Sequence, residues 1–273
     1  MTALRSALAI IADKIKDTAA DGSEPDWIAC HVLGCGRAAL RLRREITDEE
    51  FSIMLGIAEK RATGIPLSQV LGYAEFCGIK IYVNGDVLTP RPETELLVEQ
   101  TAEYIKDKKR ARVLDLCTGS GCIAVALAKF TDAEVCASDV SEKALAVARK
   151  NAELNGVQVE FVLSDLFGNL KGVFDAIVSN PPYIPAADIE GLDAEVRDFE
   201  PRLALDGGED GLDVYRKITK EAAERLKENG LLVMECGEGQ ATEITAMLGG
   251  FDCTTVRDLR GVERIVRAVK KSV

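Results

Sequence analysis

After Lys109 short apolar runs alternate with amphipathic ones, and this alternation constrains the fold more than any other feature of the chain. Strands are expected at Arg112 to Cys117, Glu134 to Ser138, Val157 to Leu163, Phe174 to Ser179, Leu231 to Cys236, Phe251 to Arg257 and Arg264 to Val269. Helices are expected to begin near Gly121, Ser141, Leu212 and Gln240. Apolar strands separated by helices predict an α/β fold with a mainly parallel sheet, covered on both faces and binding ligands at the carboxyl ends of its strands. Only Asp258 to Glu263 separate the last two strands, too few residues for a helical crossover, so that pair is expected to be antiparallel.

The first 63 residues have a different texture. Helical spacing appears in three pieces, Thr2 to Ala19, Asp26 to Gly34 and Thr47 to Arg61, and Thr47-Asp-Glu-Glu50 has the order of a capping box. From Pro66 to Val87 come short alternating segments divided by Gly72, Gly78 and Asn84-Gly85, which predict a hairpin linker. The expected organisation is a helical domain at 1–63, a hairpin linker at 64–90 and a core domain at 91–273.

Composition narrows the function classes. Hydrophobic residues at 47% support a sizeable core, and a net charge of −11 would repel a phosphate backbone, with no long basic cluster beyond Lys106 to Arg112. Direct nucleic-acid binding is therefore not expected. The first run reads as an amphipathic helix rather than a signal peptide, nothing reads as a membrane span, and a cytoplasmic location is expected. Eight cysteines sit in apolar runs without a Cys-x-x-Cys pair and are read as buried free thiols, with no metal site. The single histidine, His31, is assigned to packing or surface rather than to catalysis.

Four strand ends carry the chemistry. In Val113-Leu-Asp-Leu-Cys-Thr-Gly-Ser-Gly121 an acidic strand end, Asp115, leads into a glycine-containing turn and a helix start, so Cys117, Thr118, Gly119, Ser120 and Gly121 offer close backbone approach and unpaired N–H groups. A ligand-free tight turn would have the same sequence. The turn lacks the lysine of a phosphate loop and Asp115 disfavours a pyrophosphate, which favours a cofactor with little negative charge. Asp139 ends the second strand about twenty residues after that turn, where a carboxylate either accepts both hydroxyls of a ribose or caps the helix starting at Ser141. At the third strand end, Asp165 and Leu166 either embrace an adenine or form a solvated loop.

The fourth strand end is Asn180-Pro-Pro-Tyr183. Prolines lack the donor a sheet ladder needs, so the strand must stop there, yet they keep carbonyl acceptors on a fixed backbone. The order Asp115 to Gly121, Asp139, Asp165 and Asn180 to Tyr183 resembles class I S-adenosylmethionine-dependent methyltransferases acting on planar nitrogens. More closely, the chain resembles the peptide chain release factor N5-glutamine methyltransferase family of the HemK/PrmC type. Matching stretches include Pro66 to Gly72, Leu88 to Glu95, Asn180 to Ile184, Phe199 to Leu205, Gly208 to Arg216 and Asp258 to Arg264, spread over nearly the whole chain. Departures are Gln69, where the family commonly has tyrosine, and Cys117, where the loop often has glycine and whose side chain argues against a positive φ.

The resemblance implies a Rossmann-like domain with a seven-stranded, mostly parallel sheet and an antiparallel last strand. It also implies transfer of a methyl group from S-adenosylmethionine, leaving S-adenosylhomocysteine, to the glutamine side-chain nitrogen in the GGQ motif of release factors. The N-terminal helical domain would dock that protein partner. Asn180, Pro181, Pro182 and Tyr183 are then the catalytic candidates: Asn180 and the Pro181 carbonyl accept the two amide N–H groups while Tyr183 packs over the amide or serves as an ordinary junction aromatic. Asp115, Cys117 to Gly121, Asp139, Asp165, Leu166 and Asn180 are the cofactor candidates. Arg91 and Glu93 either line this site or start the helix beginning at Thr94. The rivals are a glutamine methyltransferase of a ribosomal protein, set apart by Tyr215-Arg216 and Asn-Pro-Pro-Tyr-Ile, a nucleic-acid exocyclic-amine methyltransferase, and a silent binding module.

Overall fold

The computed structural model describes residues 1–18 and 21–272. Two units emerge, Met1–Tyr73 with Leu192–Phe199, and Ala74–Gly191 with Glu200–Val273.

The first unit is helical. A two-residue strand β1 (Thr2–Ala3) pairs antiparallel with β2 (Glu45–Ile46), so helix α1 (Leu4–Ile15) starts two residues later than its spacing predicts. The expected end of that helix, Ala19, lies outside the described residues. Leu4, Ala7, Ile11 and Ile15 form one buried stripe of α1 at helical spacing. They share a core with Ile28 and Ala29 of α2 (Glu24–Leu33), Leu40 of α3 (Arg37–Leu40), and Met54 and Ala58 of α4 (Asp48–Arg61). Each large apolar side chain buried there contributes about 1.5–3 kcal/mol. Thr47 caps α4 reciprocally with Glu50, as expected, and Gly34 closes α2 at φ 60°. The five-residue α5 (Leu67–Leu71) and four-residue α3 escape sequence analysis because neither completes two turns of a periodic pattern. Arg61 is buried and pairs with Glu24 at 2.8 Å and with Glu195 at 2.9 Å, which fastens the helical turn α9 (Ala194–Arg197) to the unit. His31 is exposed and stacks on Tyr73.

The second unit opens with strands β3 (Tyr73–Phe76) and β4 (Ile79–Tyr82), joined by Cys77 and Gly78 at φ 48° and 73°. Two consecutive left-handed residues give the twist of a tight hairpin. A 3₁₀ turn at Pro92–Thr94 leads into α6 (Glu95–Ile105). There follow β5 (Arg112–Leu116), α7 (Cys122–Phe130), β6 (Glu134–Asp139), α8 (Glu142–Asn155), β7 (Glu160–Leu163) and β8 (Phe174–Ser179). The chain ends with α10 (Asp213–Arg225), β9 (Leu226–Glu235), α11 (Ala241–Ala246), β10 (Phe251–Arg257) and β11 (Glu263–Lys270). The sheet order is β10-β11-β9-β8-β5-β6-β7, with β11 antiparallel to both neighbours and the remaining pairs parallel.

Adjacent strand residues face opposite layers. Val113, Ala137, Val178 and Val233 pack beneath α6, α7 and α8, whereas Leu114, Ile177, Leu232 and Met234 pack against Tyr215, Ile218 and Ala222 of α10. Both faces are covered, so these strands are apolar throughout instead of alternating. β9 starts five residues before the expected Leu231 because the polar stretch after Leu226 still reaches β8, through an irregularity between Phe174 and Ala176. Sheet order reverses at β5, whose neighbours are β6 on one side and β8 on the other, and a crevice opens at such a switch point.

Candidate active site

Asp115 lies inside β5 and is fully buried. Its Oδ2 accepts hydrogen bonds from Thr118 Oγ1 at 2.5 Å and Ala124 N at 3.2 Å, so one carboxylate holds both the turn and the first turn of α7. Burial pushes its pKa up to about 7 against these two donors. Asp115 Oδ1 and Ser138 Oγ have no hydrogen-bond partner among the described residues.

The turn itself departs from one expectation. Cys117 adopts φ 58°, although a side chain at that position argues against it; the strand therefore ends at Leu116, and Thr118 N donates to Ser138 O at 3.0 Å instead of continuing the ladder. Burial pushes the Cys117 thiol up to about 12. Gly119 and Gly121 are also left-handed, for different reasons. Gly119 has open space where a Cβ would stand, whereas a Cβ on Gly121 would come 2.8 Å from the Cβ of Ala148, so Gly121 sets the close approach of α8. Asn151 of α8 clamps the same turn: its Nδ2 donates to Ser120 O at 2.8 Å and Tyr82 O at 2.9 Å, and its Oδ1 accepts from Tyr82 N at 2.6 Å.

Asp139 serves two neighbours. Its Oδ2 accepts from Gly119 N and its Oδ1 from Ser141 N, each at 2.9 Å, while Ser141 caps α8 by accepting from Ala144 N. Each oxygen keeps a second acceptor position. Burial raises the Asp139 pKa. Beyond β7, Ser164 Oγ donates to Leu166 O at 2.7 Å and accepts from Asn169 N at 2.9 Å, holding Leu166 at φ 45°.

At the end of β8, Asn180 Nδ2 donates to Thr94 Oγ1 at 3.2 Å, and Thr94 Oγ1 donates to Glu235 Oε2 at 2.7 Å. The Asn180 oxygen and the Pro181 carbonyl accept no hydrogen bond within the protein among the described residues. Pro181 is buried. Tyr183 is half-buried against the core layer beneath α10; its carbonyl accepts from Gln240 Nε2 at 2.9 Å, and burial pushes its phenol up to about 12. Tyr215 donates its hydroxyl to the Glu235 carbonyl at 2.6 Å, and Arg216 pairs with Asp210 and Asp213.

These strand ends enclose a cavity of about 370 Å³, a size in the range of small-molecule sites. Cys117, Thr118, Gly119, Ser120, Asp139, Asp165, Leu166, Asn180 and Pro182 line it, whereas Asp115, Gly121, Pro181 and Tyr183 do not. Arg91 and Thr94 form part of another wall. Arg91 Nη2 binds both oxygens of the buried Glu200, whereas Glu93 reaches outward to Arg260 at 3.4 Å. Thr94, Asn151, Glu200 and Glu235 were not among the expected site residues. Glu235 had a visible signal, a lone carboxylate closing the apolar run from Leu231. Asn151 looks like any polar residue of an amphipathic helix, and its buried position depends on the tertiary packing.

All eight cysteines are free; Cys122, Cys136 and Cys236 are buried as expected, but the other five are only half-buried. No helix among the described residues is long and apolar enough to cross a membrane.

Comparison with known proteins identifies the lineage. Residues 92–192 match the family described as Methyltransferase small domain, and residues 2–72 match the PrmC N-terminal domain. A release factor glutamine methyltransferase of Geobacter sulfurreducens is 44% identical over 250 residues, covering 89% of this chain and 87% of that protein. The same-named protein of Thermodesulfovibrio yellowstonii is 40% identical over 252 residues, covering 89% of this chain and 90% of its own. Among solved structures, a methyltransferase from Pyrococcus furiosus shares the fold with a TM-score of 0.54 at 19% identity, over 72% of this chain and 91% of that one. Two family matches and relatives aligned along most of their length lead to one conclusion: the chain belongs to the release factor glutamine methyltransferase family.

Proposed function

We propose that this protein methylates the side-chain amide nitrogen of the glutamine in the GGQ motif of peptide chain release factors, in the cytoplasm, using S-adenosylmethionine. One observation carries the reading. Asn180, which lines the cavity, commits its nitrogen to Thr94, which leaves its oxygen uncommitted, and the carbonyl of the next residue, Pro181, is a second uncommitted acceptor.

The donor set fits the cofactor. Asp139 and Asp165 suit the hydroxyls and exocyclic amine of an adenosine, Leu166 offers an apolar contact, and the Ser138 hydroxyl, on the cavity wall and without a partner among the described residues, suits a polar group of the ligand. Gly119 N–H is already taken by Asp139, so the turn is poorly suited to a diphosphate. When bound, S-adenosylmethionine supplies an electrophilic methyl group on positively charged sulfur.

An amide nitrogen is a weak nucleophile because its lone pair is shared with the carbonyl. Asn180 Oδ1 and the Pro181 carbonyl each accept one N–H of the substrate –NH₂, which fixes its plane and draws electron density toward nitrogen. The adjacent prolines add no competing donor and hold the carbonyl on a fixed φ. Such positioning supplies on the order of 7–11 kcal/mol of a barrier. One N–H proton is released to solvent, and no covalent bond to the chain is needed. The N-terminal helical unit is assigned to docking the release factor.

The test is tritiated methyl transfer to a purified release factor and to its Gln-to-Ala variant. Label is expected in the first and absent from the second. Label in the variant, or in nucleic acid alone, overturns the reading.

A further inference from the structure

We propose that Thr94 and Glu235 are positioning residues that set the direction of the Asn180 carboxamide, turning its oxygen toward the substrate amide and its nitrogen away from it. This rests on the methyl-transfer reading above and adds the pair that chooses between the two nearly isosteric orientations of an asparagine.

The argument is one of donors and acceptors. An ionised Glu235 only accepts, so Thr94 Oγ1, 2.7 Å from Oε2, must donate its single proton there. The hydroxyl then has only lone pairs left for the group 3.2 Å away, and that group must be the Asn180 –NH₂. Thr94 and Glu235 are 2% and 3% exposed, and Glu235 also hydrogen-bonds the Asn180 side chain directly, where an ionised carboxylate accepts only from the –NH₂. Protonating Glu235 removes the constraint. A neutral carboxylic acid donates to Thr94 Oγ1, the hydroxyl proton becomes free to go to Asn180 Oδ1, and the reversed carboxamide would present N–H to a substrate N–H.

The surroundings place this switch in an accessible range. Burial pushes Glu235 up to about 7, Glu93 in the preceding 3₁₀ turn adds to the lift, and Thr94, Arg264 and Asn180 oppose it. Arg264 on β11 is itself bound to Asp258 at 3.3 Å, and Glu93 to Arg260. Cys236 and the phenols of Tyr183 and Tyr215 are the other titratable groups around Glu235, and Tyr215 reaches only its backbone carbonyl.

The experiment compares wild type, Glu235→Gln, Thr94→Val and Thr94→Ser in turnover against pH, with cofactor affinity by calorimetry. Wild-type turnover is expected to fall as pH drops through about 7. Glu235→Gln should flatten that acid limb and lower turnover at pH 8 by about 100-fold, the scale of a misplaced reacting group. Thr94→Val, which keeps the direct Glu235–Asn180 contact, should lower turnover by a smaller factor that Thr94→Ser largely recovers, with cofactor affinity unchanged throughout. A readout independent of turnover is the ¹³C carboxyl signal of Glu235, identified by its disappearance in Glu235→Gln and expected to titrate near 7. Asn180 side-chain N–H exchange should also accelerate in Thr94→Val. Wild-type turnover and an unaltered pH profile in both Thr94→Val and Glu235→Gln, or a Glu235 carboxyl titrating near 4.5, overturn the relay and leave methyl transfer standing. A wild-type enzyme that puts no label into glutamine overturns the underlying reading instead. Should Glu235→Gln fail to fold, the Thr94 pair and Asn180 exchange still decide.

Discussion

Arg91, on the cavity wall, holds both carboxylate oxygens of the buried Glu200 through one guanidinium nitrogen, at 2.9 and 2.8 Å. Glu200 also accepts from Thr89 N at 3.2 Å. Burial raises its pKa while Arg91 holds it down. Arg91→Ala leaves a buried carboxylate with only the Thr89 backbone and side-chain donors and is expected to cost about 1–3 kcal/mol, discounted because Arg91 is partly exposed. Urea denaturation checks this, and Arg91→Ala together with Glu200→Gln should recover part of the loss.

Asn180→Asp keeps two oxygens but removes the donor that satisfies Thr94, and sets a second carboxylate near Glu235. Turnover is expected to drop about 100-fold, a larger change than that in cofactor affinity, since the orientation of the reacting amide is lost. Steady-state kinetics with calorimetry separates the two; a variant as fast as wild type would remove Asn180 from the mechanism.

Asp115 and Glu235 both have folded pKa values near 7, raised from ordinary values of 3.8 and 4.5. A raised folded pKa means that the native state binds the proton more tightly than the unfolded chain. Their contribution to stability is therefore full below about pH 4 and is lost as pH rises through about 7. Denaturation from pH 4 to pH 8 should show a shallower loss in Asp115→Asn than in wild type, and equal slopes would refute the assignment.

Gly121 combines φ 79° with a Cβ position 2.8 Å from the Cβ of Ala148. Gly121→Ala is expected to destabilise by about 1–3 kcal/mol through strain and overpacking. The corresponding Gly119→Ala meets no atom within 4 Å, so its cost should come from φ alone and be smaller. Thermal unfolding of the two variants compares them directly.

Asn151→Ala would orphan the Tyr82 backbone pair and the Ser120 carbonyl together. A loss of about 1–3 kcal/mol is expected, with weaker cofactor binding because the turn beside Ser120 is released. Calorimetric titration tests the binding half of this expectation.

The strand and helix pattern was legible in the chain because burial on both faces leaves continuous apolar runs, and Gly, Pro and capping residues mark the ends. Phe174–Ser179 and Phe251–Arg257 coincide with their expected ranges, and the antiparallel pairing of β10 with β11 followed from the short connection between them. Misjudged boundaries lay where a local rule yielded to tertiary contact. Cys117 accepts a left-handed φ because Asp115, Thr118 and Ser138 pin the turn around it, and the start of β9 crosses a polar stretch because β8 offers it a partner. The acidic and Asn-Pro-Pro-Tyr strand ends could be read from local order alone. Which way the Asn180 carboxamide turns could not, because Thr94 and Glu235 stand 86 residues before and 55 residues after Asn180, and only folding brings the donor and the acceptor within hydrogen-bond reach.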